Sequence, residues 1–305
     1  MIPDAPSLAI ADPTPSRAPN AARAGFGRVD LALVGGRTEV VRLRAESPLR
    51  LLSPRSRAAA AWIVAGSYGG GFVCGDRISV AVRCGPGTRT VLGTQASTKV
   101  YRSRSAFAAG SGGGAGQQQL AAVLGENAML VSWPDPITCF AGSRFVQRQN
   151  FDLSPTASLV AVDWLTSGRM ARGERWAFDR YETETRISVG GRLRLRESTT
   201  LDPADGPIHP VARTAGMDCL GMAWVVGPAF AGVAEALKQR LERQPIDPRR
   251  DVQYGISPIG DAATEFSGAV VRFAAKSTDA AWHWLRSQLA SAMEVVGIDP
   301  WSRRG

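Results

Sequence analysis

The sequence predicts a mainly β fold that closes with two α-helices, and three features predict it. From Val29 onward, apolar residues recur at every second position, the period of half-buried strands. Glycine and proline punctuate the intervals between these runs. Helical spacing appears only late, in "PAFAGVAEALKQRLER" (Pro228 to Arg243) and "STDAAWHWLRSQLASAMEVV" (Ser277 to Val296).

Residues 1 to about 25 are Pro/Ala/Ser-rich without a period and read as a disordered leader before a single domain spanning 26–305. Asp4 and Asp12 argue against a transit peptide, and no basic start precedes an apolar core as in a signal peptide. "RISVAVRC" puts Ile78, Val80, Val82 and Cys84 on one face. "RFVQRQNFDL" and "ASLVAVDWL" are further strands. "YETETRISVGGRLRLRE" reads as a hairpin with Tyr181, Thr183, Thr185, Ile187 and Val189 on one face. A three-residue loop, Val189 to Gly191, is expected there, because it sets Ile187 opposite Leu193 and Glu184 opposite Arg196. Glu182 and Glu184 then read as a cross-strand charge ladder, with metal ligation the competing role. The apolar run from Leu220 to Leu237 is broken by Gly227 and Pro228, so it predicts a buried strand and a helix starting near Pro228 in place of a membrane span. In the last helix Ser277 or Thr278 is the N-cap, Asp279 lies in the first turn, and Gly297 follows the end.

The chain has 305 residues, a net charge of +9 and 44% hydrophobic residues, enough to build a core without a metal or disulfide staple. Its cations are almost all arginine, with Lys99, Lys238 and Lys276 the only lysines. They are scattered and lack interleaved aromatics, which argues against nucleic acid; an arginine-rich chain equally reflects biased codon usage or a surface that meets an acidic protein. Cys74, Cys84, Cys139 and Cys219 form no CxxC pair, and the only histidines are His209 and His283. Free thiols in a reducing, cytosolic setting are expected, and a closed Cys/His zinc site is not.

Catalytic signatures are missing: there is no G-x-S-x-G elbow, no H-E-x-x-H and no Walker A sequence. "GSYGGGFVCGDRISV" runs from glycines into a strand instead of a helix, so it is no phosphate loop. It reads as a corner where backbones approach closely, with Asp76 either accepting turn amides or facing a partner. "TQASTKVYRS" offers Thr94, Ser97, Thr98 and Lys99 from a polar strand face, followed by Tyr101 and Arg102. "SGRMARGERW" carries Arg169, Arg172 and Glu174 in a turn between strands, and "SWPDPITCF" is an extended, exposed elbow around Asp135. "GSGGGAG" (Gly110 to Gly116) reads as a flexible loop, and Trp282 and Trp284 as anchors of the last helix on the sheet.

In order along the chain, "GGGFVCGDRISV", "TQASTKVYRS", "WPDPITCFAGSRFVQRQNFDL", "SGRMARGERW", and "VVRF" followed by "WLRSQL" resemble the UreD (UreH) family of urease accessory proteins, over roughly Leu31 to Leu289. The chain departs from the family pattern at Gly93, where a second threonine is usual, at Asp163, where glutamate is usual, at Cys74, and around Gly114. The resemblance implies a helix-like stack of short strands in two layers with two C-terminal helices, and no enzymatic activity. It further implies partners, namely apo-urease, UreF and the GTPase UreG in a hetero-oligomer, and a task, delivery of Ni²⁺ to the urease centre with no tightly bound cofactor.

Transit requires weak ligation, which oxygen donors provide better than His/Cys sets. Asp76 and Glu174, with Thr94 and Ser97, are the expected nickel path. Lys99, Tyr101, Arg102, Asp163 and Arg169 are the expected lining or partner residues. Fixing turns is the competing role for both acids. Two other functions fit the residues less fully: a β-helical hydrolase using Asp163 and Glu174 in an open groove, and an interaction scaffold without a metal path.

Overall fold

The structure, a computed structural model, describes residues 24–55, 58–73, 75–102, 114–208, 211–245, 247–260 and 266–299. The leader up to residue 23, Cys74, His209 and residues 110–113 of the glycine-rich loop lie outside the described residues. Alternation of apolar and polar residues makes strands, and strands with one apolar face must pair those faces. Here they do so as two sheets.

With strands numbered in chain order, the first sheet holds β1 (Ala24–Val34), β2 (Arg37–Ala45), β6 (Arg77–Cys84), β9 (Gly116–Leu124), β12 (Arg144–Leu153), β14 (Arg180–Val189) and β15 (Arg192–Leu201), ordered β15-β14-β12-β9-β6-β1-β2. The second holds β3 (Leu49–Leu52), β4 (Ala61–Ser67), β7 (Arg89–Thr94), β10 (Met129–Ser132), β13 (Ser158–Thr166), β16 (Cys219–Val226), β17 (Val252–Ile259) and β18 (Gly268–Ala275), ordered β17-β18-β16-β13-β10-β7-β4-β3. The short strands β5 (Gly71–Phe72), β8 (Thr98–Val100) and β11 (Ile137–Cys139) extend it. From β6 to β14 the main strands alternate between sheets, and each lies parallel to the previous strand of its own sheet. This is the helix-like stack that the resemblance implies.

Parallel registry aligns residues into rungs. Ile78, Gln118, Gln147 and Thr183 lie side by side, as do Val80, Leu120, Gln149 and Thr185. All point inward, along with the apolar rung Cys84, Leu124, Leu153 and Val189 at one end and Phe145 beside Tyr181 at the other. The interior between the sheets therefore holds a polar belt bounded by an apolar layer and an aromatic one.

The helices cover the outer face of the second sheet. Besides the short α1 (Val211–Thr214), these are α2 (Ala231–Glu242), entered through a 3₁₀ turn at Pro228–Phe230, and α3 (Thr278–Val296). Leu237, Leu285 and Leu289 pack on Val160, Val162 and Val225. Trp284 stacks on Tyr254 with centroids 5.4 Å apart and Trp282 meets Trp133 at 5.4 Å, so both tryptophans anchor α3 as expected. Ser277 Oγ accepts the Ala280 amide at 3.1 Å, and Gly297, at φ +83°, closes the helix through the Met293 carbonyl. No helix of the described residues is long and apolar enough to cross a membrane.

The β14–β15 hairpin departs from the expectation. Its loop is the two-residue Gly190-Gly191, with φ of +56° and +76°, and Val189 opposes Arg192. Two positive φ values match the twist of the flanking strands, which favours this tight turn. A bulge at Arg194 then shifts the register, so Ile187 faces Leu195 and Glu184 faces Ser198, while Leu193 is turned out to solvent. The charge ladder survives: Glu184 pairs with Arg186 and Arg196, and Glu182 with Arg148 and Arg180.

Candidate functional site

The glycines of "GGGFVCGDRISV" form the expected corner. Gly69, Gly70 and Gly75 have φ of +90°, +74° and +82°. A Cβ on Gly71 would lie 2.3 Å from the Lys99 carbonyl oxygen, so only glycine lets β5 pair with β8. Asp76 is buried, and its carboxylate accepts the Val73 amide at 2.9 Å. Its backbone carbonyl accepts from Gln117 and its amide donates to Val73, so Asp76 fixes the turn at the head of β6.

Glu174 is likewise occupied. It makes a two-pronged ion pair with Arg169 and accepts the Ala141 amide at 3.2 Å, and the Arg169 guanidinium holds its carboxyl below the usual range. The Arg169 guanidinium carbon sits 4.1 Å from the centre of the Phe140 ring, which meets the Tyr101 ring edge-on at 5.2 Å. Tyr101, Phe140, Arg169 and Glu174 thus form one contiguous, partly buried cluster, with Arg102 alongside Gly142. Lys99 is exposed on β8. The segment Thr94 to Lys99 is not one strand: β7 ends at Thr94, the chain bends at Gln95 and Ala96, and Ser97 directly precedes β8. The proline elbow is extended but not exposed. Trp133 is buried, and Asp135 exchanges two hydrogen bonds with Thr94, donating its amide at 2.7 Å and accepting the hydroxyl at 3.1 Å.

The polar belt borders three consecutive interior spaces. The first, about 360 Å³, is lined by Thr94, Gln95, Ser97, Thr98 and Gln118, and Gln95 is exposed at its mouth. The second, about 50 Å³, shares Thr94, Thr98 and Gln118 with the first and adds Gln147, Gln149 and Asp163. The third, about 60 Å³, shares Asp163 and Trp164 with the second and extends to Tyr181, Trp224 and Glu197. Glu197 pairs at 2.6 Å with the partly exposed Arg272 at the far rim. Each of the smaller spaces has room for water molecules.

Asp163 stands where the second and third spaces meet. Gln147 Nε2 donates to it at 2.8 Å and the Thr183 hydroxyl at 2.6 Å. Burial pushes its carboxyl up from the usual range, against the pull of these two bonds. In the third space the Tyr181 hydroxyl and Trp224 Nε1 have no protein partner among the described residues, so their hydrogen-bonding capacity is available to water or a solvated ion. No group of three or more His, Cys, Asp or Glu among the described residues is placed to hold a metal ion. Cys84 and Cys139 are buried, which pushes both thiols up to about 12.

Thr94, Ser97 and Asp163 therefore line this series of adjoining spaces, whereas Asp76 and Glu174 line none of the three. Asp163 lines the second and third spaces, whereas Glu174 lines neither of them and is paired with Arg169. Gln118, Gln147, Gln149, Thr183 and Thr185 escaped the sequence reading as site residues. Their signal was present: polar side chains at the inward phase of strands whose other inward residues are Phe145, Phe151 and Ile187.

The sequence matches the family profile described as "UreD urease accessory protein" over residues 23–304. A relative from Anaeromyxobacter sp. (strain Fw109-5), "Urease accessory protein UreD", is 40% identical over 300 residues, covering 98% of this chain and 95% of the relative. One of the same name from Sorangium cellulosum (strain So ce56) is 42% identical, covering 93% and 85%. "Urease accessory protein D" of Oryza sativa subsp. indica is 32% identical, covering 92% and 96%. On this full-length similarity, and with the stacked two-sheet fold, the chain belongs to the UreD family of urease accessory proteins.

Proposed function

We propose that this chain is a non-catalytic maturation scaffold of the cytosol. It joins apo-urease, UreF and UreG in one hetero-oligomer and passes Ni²⁺ to urease along the interior between its two sheets. The observation that carries this reading is the run of three adjoining spaces with Asp163 at the inner junction. Oxygen donors on Thr94, Ser97, Gln147 and Asp163 suit a passing ion, because each binds a late divalent metal more weakly than thiolate or imidazole. A passing ion exchanges water for contact with the Asp163 carboxyl, which Gln147 and Thr183 hold in place. Asp76 and Glu174 support this route by holding the turns around it.

The test is Asp163→Asn in cells expressing the urease operon. Nickel per urease active site and co-purification of the assembly are measured separately. Assembly is retained and nickel loading falls at limiting nickel. Unchanged loading in an intact assembly overturns the route and leaves the plain scaffold, while lost assembly assigns Asp163 to holding the fold that the partners bind and overturns the route as well.

A further inference from the structure

We propose that the outer face of the first sheet is the docking surface for an acidic face of the apo-urease assembly; this rests on the scaffold reading above. Parallel strands are ordinarily covered on both faces. The second sheet obeys this rule, with α2 and α3 on its outer side. The first has five adjacent parallel strands, β14, β12, β9, β6 and β1, yet its outward residues Gln119, Asn150, Asp152 and Arg186 are exposed.

The charge of this face names the partner. Three carboxylates are each clasped by two arginines: Asp30 by Arg28 and Arg42, Glu182 by Arg148 and Arg180, and Glu184 by Arg186 and Arg196. The Asp30 and Glu184 trios each keep one positive charge, whereas Arg180 of the Glu182 trio also pairs with Asp202, and in all three the shared acid holds both guanidinium groups in place before binding, which lowers the ordering cost of association. Arg77 and Arg83, outward on β6 and exposed, add cations with no ion pair among the described residues. Registry places Arg83 beside Asp30 and across from Arg42 through β1, and sets Arg186 directly opposite Arg196. Short side chains between the banks, such as Ser79, Ala81 and Ala121, leave the arginine heads as the groups a partner meets first.

A second copy of this chain is disfavoured on the same face, since arginine would meet arginine. The interspersed acids, including exposed Asp152, also repel a uniformly anionic phosphate backbone, whereas a protein surface of mixed sign can place cations against them.

The test compares wild type, Arg77→Glu/Arg83→Glu, and the control Lys238→Glu/Arg243→Glu, on α2 and at its C-cap, for binding to purified apo-urease, with circular dichroism to verify folding. Wild-type binding weakens with added salt, the β6 variant loses at least about tenfold in affinity, and the α2 control stays within about twofold. Equal binding by all three overturns the docking face and leaves the scaffold reading intact. No binding by wild type overturns both. Loss of binding to a random DNA duplex in the β6 variant, with urease binding unchanged, assigns the face to nucleic acid and also overturns the proposal.

Discussion

Replacing Asp163 with asparagine removes a buried charge without changing side-chain size, and the surroundings set the result. Gln147 Nε2 still meets an oxygen, and the Thr183 hydroxyl can turn from donor to acceptor for the new amide nitrogen. Neutral hydrogen bonds contribute about 0.5–1.5 kcal/mol each against about 1.5–3 for charged ones, so the swap loses roughly 2–3 kcal/mol over two bonds. Removing a carboxylate from a buried site recovers several kcal/mol, on the order of the loss or more. Because burial outweighs the hydrogen bonds in raising the Asp163 pKa, the variant should equal or exceed wild type at pH 7, by about 0–2 kcal/mol. The sign with pH follows from the raised pKa. The folded wild type holds its proton to higher pH than the unfolded chain, so wild type gains on the variant as pH falls from the folded-state pKa toward the unfolded value of 3.8, by at most about 1.4 kcal/mol per pH unit. Urea unfolding of both proteins, followed by tryptophan fluorescence at several pH values between about 4.5 and 7.5, reads this directly. A variant more than about 2 kcal/mol less stable at pH 7, or a gap that moves the opposite way with pH, would refute the assignment of Asp163 as a net-unfavourable buried acid held for function.

Gly71→Ala forces a methyl group against the Lys99 carbonyl and should cost about 1–3 kcal/mol in urea unfolding, with loss of the β5–β8 pairing seen as faster hydrogen exchange at Tyr101. Glu174→Gln removes the ion pair with Arg169 at a partly exposed site and should cost on the order of 1 kcal/mol at pH 7. Since the Glu174 pKa is lowered in the fold, that difference is fully present above about 4.5, the unfolded value, and shrinks as pH falls through the folded one; a gap that widens in acid contradicts the pairing. Ser277→Ala should lower stability by about 1 kcal/mol through the lost cap of α3, measured by thermal melting. Gly190→Ala places a Cβ at φ +56° and should cost about 1–2 kcal/mol, whereas a tolerated alanine would argue for a different turn in the β14–β15 hairpin.

What the sequence determined by itself was local. Ile78 through Cys84 alternate because a strand repeats every two residues, and their inward phase needs no knowledge of partners. Ser277 and Gly297 bound α3 because the ends of a helix leave backbone groups that nearby side chains or a left-handed residue must satisfy. The corner at Gly69 to Asp76 was legible for the same reason. Tertiary structure alone decided what depends on distant pairing. Gln118, Gln147 and Thr183 become one polar rung only through parallel registry between strands far apart in the chain. Thr94 meets Asp135 across 41 residues, and Asp163 meets Thr183 across the gap between sheets. Even the hairpin register escaped local reading, since the bulge at Arg194 undoes the face reversal that a two-residue loop would otherwise impose. Periodicity fixes which way a side chain points, but which other side chain waits there is set by the free energy of packing the whole chain.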